Sequence, residues 1–91
     1  MKFTVIWSFT ALNELAEIWL RASDRQAVTD AAEAIDQLLE ADPMDVGESR
    51  AGGRRILINP PLVVIFNVSV ESGTVVVVRV RRPWREASSH E

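Results

Sequence analysis

The stretch "LVVIFNVSVESGTVVVVRVRR", residues 62–82, decides the fold. Two runs rich in β-branched residues flank Glu71, Ser72 and Gly73, and a spacer that short, closed by glycine, makes a tight hairpin turn. Alternate side chains of a strand leave opposite faces. In the first run, 62–70, Leu62, Val64, Phe66 and Val68 form a purely apolar face, and Val63, Ile65, Asn67 and Ser69 a mixed one. In the second, 74–82, unbroken alternation groups Val76, Val78 and Val80 on one face, and Val75, Val77, Arg79 and Arg81 on the other. The apolar face needs cover. The mixed face is expected to stay open, with Val63, Ile65, Val75 and Val77 as its floor and Arg79 and Arg81 at its rim. An apolar floor left in water marks a binding surface.

Upstream, residues 54–59 read as a third strand, broken by Pro60 and Pro61, which cannot both sit in a central ladder. Arg55 joins Arg79 and Arg81 on the open face if its register matches, which the sequence leaves open. "MDVGESRAGG" (44–53) reads as a loop because of its three glycines. Before it lie two helical patterns. Leu12, Leu15, Ala16, Trp19 and Leu20 recur at helical spacing after Ser8 or Thr10, either of which can cap. Val28, Ala31, Ala32, Ile35, Leu38 and Leu39 do so after "SDRQ" (23–26), which fits a capping box. Pro43 ends the second helix, since the residue before proline is pushed out of helical geometry. The short junction between the helices makes them antiparallel neighbours. "KFTVIW" (2–7) alternates as a half-buried strand. The order is β-α-α-β-β-β. The expected fold is α+β, with a helical hairpin on one face of a mostly antiparallel four-stranded sheet, and one domain covers 1–91.

Composition sets bounds on function. Apolar residues make up 47% and charged residues 25%, as in an ordinary globular domain, and 91 residues suffice for one modest core. There is no cysteine and one histidine, so no thiolate or histidine-rich metal site can form, and neither metal nor cofactor is expected. No run is long enough to span a membrane and no signal peptide opens the chain, so the cytoplasm is the expected location. The net charge of −3 hides an asymmetry. Residues 1–49 carry three basic and ten acidic side chains; residues 50–91 carry seven arginines and three acids, a balance of +4. An arginine-only basic region suits bidentate phosphate contacts. Arg82, Trp84 and Arg85 extend it past the last strand, and Trp84 offers a face on which an unstacked base can lie.

In order and spacing, "FTVIW", "ALNELAEIWL", "AAEAIDQLLEADP", "GESRAGGRRI", "LVVIFNV" and "VVVVRVRRPWRE" together resemble the RelE/ParE family of bacterial toxins. The resemblance spans nearly the whole chain. It implies a small toxin of a type II toxin–antitoxin module, a cognate antitoxin that wraps its surface, and a homodimer or a heterotetramer with that antitoxin. The RelE-like branch cleaves messenger RNA in the ribosome; the ParE-like branch poisons DNA gyrase.

RNA cleavage of the first kind needs no metal. A ribose 2′-hydroxyl attacks the adjacent phosphate while a base, an acid and arginines manage proton and charge. The resemblance implies Arg85 as phosphate stabiliser and His90 as acid or base; strand parity, not a motif, adds Arg81 to them. Arg55, Arg79, Arg82 and Trp84 are the expected RNA contacts, and Val63, Ile65, Val75 and Val77 the antitoxin contacts. The chain departs from the nuclease pattern at Val63, where an arginine is usual, and in having no tyrosine. A gyrase-directed toxin, or a relative that only binds its antitoxin, is the alternative.

Overall fold

The computed structural model describes residues 2–83, so Trp84, Arg85 and His90 lie outside the described residues. The chain runs β1 (Thr4–Trp7), α1 (Phe9–Arg21), α2 (Arg25–Ala41), β2 (Glu48–Ser49), a 3₁₀ turn (Ala51–Gly53), β3 (Arg55–Asn59), β4 (Leu62–Ser69) and β5 (Thr74–Arg81). Among the described residues the strands form one five-stranded sheet in the order β1-β5-β4-β3-β2, antiparallel except for β1 beside β5. The expectation of four strands is corrected by β2. Its two residues are too few to show a period, and Gly47 brings them against β3: with φ +75, any Cβ there would meet the Ile56 carbonyl oxygen.

Local chemistry sets the helix ends. Ser8 caps α1, its hydroxyl accepting from the Ala11 amide at 3.0 Å. Asp24, not Ser23, caps α2 by accepting from the Ala27 amide at 3.1 Å. Arg25 then closes α1 from below, donating to the carbonyls of Trp19 and Leu20 at the negative end of that helix. Its guanidinium also stacks 4.6 Å from the Trp19 ring centroid.

The core joins Val28, Ala31, Ile35 and Leu39 of α2 and Ala11 of α1 to Leu57, Leu62, Val64, Phe66, Val75, Val77 and Val80 of the sheet. Leu62, Val64 and Phe66 face the helices as alternation requires. Strand β5 does not keep simple alternation. Ile65 pairs with Arg79 but Phe66 pairs with Val77, so Val78 is an extra residue, a β-bulge. Before the bulge Val75 and Val77 face the core; after it Val80 does. The placement of Val75 and Val77 on the open face is therefore overturned: both are fully buried. Arg79 and Arg81 do lie opposite Val80, paired across to Ile65 and Val63.

Substitution should separate the two faces. Val77→Asp places an unpaired charge in the core and should abolish the cooperative urea transition, whereas Val76→Asp, one residue away on the half-buried open face, should keep it. Folding of the first and collapse of the second would reverse the assignment. Ile35→Ala should cost about 2–5 kcal/mol in the same measurement.

Candidate functional site

The open face of β4 and β5 gathers Val63 and Ile65 with Arg81 and Arg79, as expected. What the arginines touch was not expected. Strand β1 pairs with β5 only through Val77; there the chain turns into α1, and Ser8 donates its amide to the Val77 carbonyl at 3.0 Å. The Ser8 hydroxyl lies 3.4 Å from the carbonyl of the bulged Val78. Beyond that point Glu14 of α1 takes the place of a neighbouring strand. Its Oε1 accepts from the Val80 amide at 2.8 Å. Its Oε2 accepts from Arg79 Nε at 2.9 Å and Nη2 at 2.8 Å, and from Arg81 Nη1 at 2.6 Å.

One carboxylate thus holds a strand amide and two guanidinium groups. The Glu14 side chain is 21% exposed, those of Arg79 and Arg81 39% and 47%. Burial pushes the Glu14 carboxyl up, but hydrogen bonds from Arg79, Val80 and Arg81 and the Arg81 charge outweigh it and bring its pKa from 4.5 to about 2. The same hydrogen bond raises the Arg79 pKa.

Arg55 does not join this group. Its register partner is Phe66, so it lies on the helix-covered side, where its Nη2 donates to the carbonyls of Met44 and Val46 at 3.0 and 3.2 Å. It ties the loop after α2 to the sheet. Arg82 is exposed and lies past the end of β5. Among the described residues no cluster of histidine and carboxylate side chains could hold a metal ion. No helix of the described residues is long and apolar enough to cross a membrane.

A second surface escaped the sequence pattern. The stripe Leu12, Leu15, Ala16, Trp19 and Leu20 reads as the buried face of α1, yet the helix turns Ala11, Glu14, Leu15 and Ile18 inward. Leu12 is 50% and Trp19 39% exposed. They line a groove between α1 and α2, made of two adjoining cavities of about 350 and 380 Å³ that share Leu12, Leu15, Ala32 and Glu33. Trp7 closes one end, its Nε1 donating to Asp36 at 3.0 Å. The signal that could have found it is an excess of large apolar residues, Phe9, Leu12, Leu15, Ile18, Trp19 and Leu20, on a helix whose only fully buried residue among those described is Ala11.

Glu14 gives the protein an acid sensitivity. Because its folded pKa is depressed, the ion pairs stabilise the fold above pH 4.5 and their contribution is lost as pH falls towards 2. Glu14→Gln should be less stable than wild type at neutral pH and should lose less on acidification. Parallel urea midpoints for the two proteins from pH 7 to pH 2 would refute this.

No protein-family profile matches the chain, and no curated protein matches it in sequence. Solved structures match in fold. One is the RelBE2 toxin–antitoxin complex from Mycobacterium tuberculosis, with 21% identity over 90% of this chain and 92% of that one and a TM-score of 0.75. Another is the chromosomal ParDE toxin–antitoxin system from P. aeruginosa, with 21% identity, coverage of 88% and 95%, and a TM-score of 0.71. TrmO from Pseudomonas aeruginosa matches over 88% of this chain but 35% of its own, with 24% identity and a TM-score of 0.61. The helical hairpin on a mixed sheet and the near-full-length match to the first two give this chain the RelE/ParE-like fold.

Proposed function

We propose that this protein is the toxin of a type II toxin–antitoxin module and that it acts by docking to a protein target. The observation that carries the reading is the apolar groove between α1 and α2 on a chain with a RelE/ParE-like fold. A small domain that leaves leucine and tryptophan in water along one helix spends stability on that exposure, which a partner repays by covering it. The occupant that fits is an amphipathic antitoxin helix with bulky apolar anchors three and four residues apart. Glu33 and Asp36 rim the groove, so the anchors are expected to be flanked by lysine or arginine.

Action by docking is favoured over RNA cleavage by the state of the arginines. Arg79 and Arg81 are held by Glu14, and Arg55 is committed to backbone carbonyls. The floor beside the two strand arginines, Val63 and Ile65, lacks the further arginine and the tyrosine that cleavage would use. The second reading, a ribosome-dependent endoribonuclease, is supported by the clustering of Arg79 and Arg81 on an open face; roles for Trp84, Arg85 and His90 belong to that reading.

Expressed alone in bacteria, the protein should slow growth, and co-expression of the neighbouring gene should restore it. Pulse labelling distinguishes the targets: DNA synthesis falls first if gyrase is poisoned, protein synthesis first if messenger RNA is cut. Leu12→Glu combined with Trp19→Glu should weaken antitoxin binding by about tenfold or more while leaving the thermal midpoint little changed. Undiminished antitoxin binding by a folded double variant would remove the groove from the interface.

A further inference from the structure

Helix α1 carries a second pattern on the side turned away from the sheet. Phe9, Leu12, Ala16 and Trp19 follow one another at intervals of three, four and three residues, the spacing of a seam that packs on another helix. Phe9 is 79% exposed, and Leu20, which widens the seam, 58%. Large apolar side chains scattered singly need no partner, but a continuous stripe along one helix does. The stripe has a small residue near its middle. Ala16 is exposed, with Leu12 on one side of it and Trp19 and Leu20 on the other. A second helix can come closest there, and the bulky residues close around the crossing.

The groove beside the stripe sets the chemistry of that second helix. It calls for apolar anchors three and four residues apart and for a cation to meet Glu33 and Asp36. Helix α1 of another copy of this chain meets both demands. Its anchors have the spacing, and Arg25, the single basic side chain of α2, stacks on Trp19, at the end of the groove away from Trp7 and Asp36. Two α1 helices set antiparallel about a two-fold axis at Ala16 place Leu12 of each copy opposite Leu20 of the other. The same operation brings Arg25 of each copy to the Asp36 end of the other's groove, so the attraction is made twice. A parallel arrangement would set Arg25 against Arg25 and Asp36 against Asp36, so charge selects the antiparallel one. We propose that two copies of this chain pair through α1, each α1 lying in the groove of the other copy, so that the two helical hairpins form an antiparallel four-helix bundle. The dimer fills the same groove as an antitoxin helix, so the two compete for it, but the pairing itself needs no toxin function.

Sedimentation equilibrium of the full chain over a concentration series should show the mass rising from 10.2 kDa to twice that value and no further. Ala16→Glu sets two like charges face to face on the axis and should raise the dimer dissociation constant about tenfold or more, with an unchanged circular dichroism spectrum. Glu33→Arg places a cation opposite Arg25 and should also weaken pairing. The sequence has no cysteine, so a single introduced one reports only what lies beside it. With a short bismaleimide, Ala16→Cys should give a covalent dimer, whereas Ile58→Cys, 51% exposed on β3, should not. A wild type that stays monomeric, a dimer untouched by Ala16→Glu, or cross-linking of Ile58→Cys but not of Ala16→Cys overturns the proposal. Should Ala16→Glu not fold, the two cysteine variants decide. No antitoxin, target or growth readout enters, so the toxin reading can fail while the dimer stands, and the reverse.

Discussion

The arrangement depends on how strand β5 is completed along its outer edge. For its first half β5 has a strand partner, β1, in parallel register. At Val77 that partner leaves the sheet, because Ser8 caps a helix instead of extending a strand. The remaining edge would expose an unpaired amide close to the core, which is costly. Glu14, in the second turn of α1, supplies the missing acceptor to Val80. The helix is thereby fixed in rotation about its own axis. With Glu14 turned to the strand, Ala11 and Ile18 follow it inward, and Leu12, Trp19 and Leu20 are carried outward.

Both candidate surfaces follow from that one rotation. The groove between the helices exists because α1 presents a carboxylate to the sheet where a wholly apolar packing would have presented Leu12 or Trp19. The arginine pair is quiet because the same carboxylate has an oxygen to spare. A buried-edge carboxylate of this kind is stabilising only while its cations stay, since removing them would leave a partly desolvated charge without a partner. Fold stability, groove exposure and arginine availability are therefore coupled through Glu14.

The charge pattern also takes on a structural meaning. The acidic first half is mostly solvated surface, but one of its ten acids is the counterpart of two arginines from the basic second half. Counting charges by segment overstates how much of the arginine-rich second half is free for a phosphate. Arg55 shows the same limit. It belongs to the arginine-rich region by sequence, but its parity sends it under the helices, where its Nη2 donates to the Met44 and Val46 carbonyls.

By itself the sequence determined the order of both helices and of every strand but β2, the hairpin of β4 and β5, the apolar face of β4, the end of α2 at Pro43 and the absence of thiolate metal chemistry. These rest on local chemistry: period-two and helical patterns, glycine turns and proline breaks all act within a few residues. It also placed Arg79 and Arg81 on the open face, although by an alternation that the bulge at Val78 interrupts. Only the tertiary structure decided that Val75 and Val77 are buried, that Leu12 and Trp19 are not, and that β1 lies at the edge beside β5. The physical reason is that each depends on a partner distant in the chain. A bulge is visible only in the pairing of two strands, a helix's rotation only in what its Glu14 meets 66 residues later, and a carboxylate's role only in the cations that reach it.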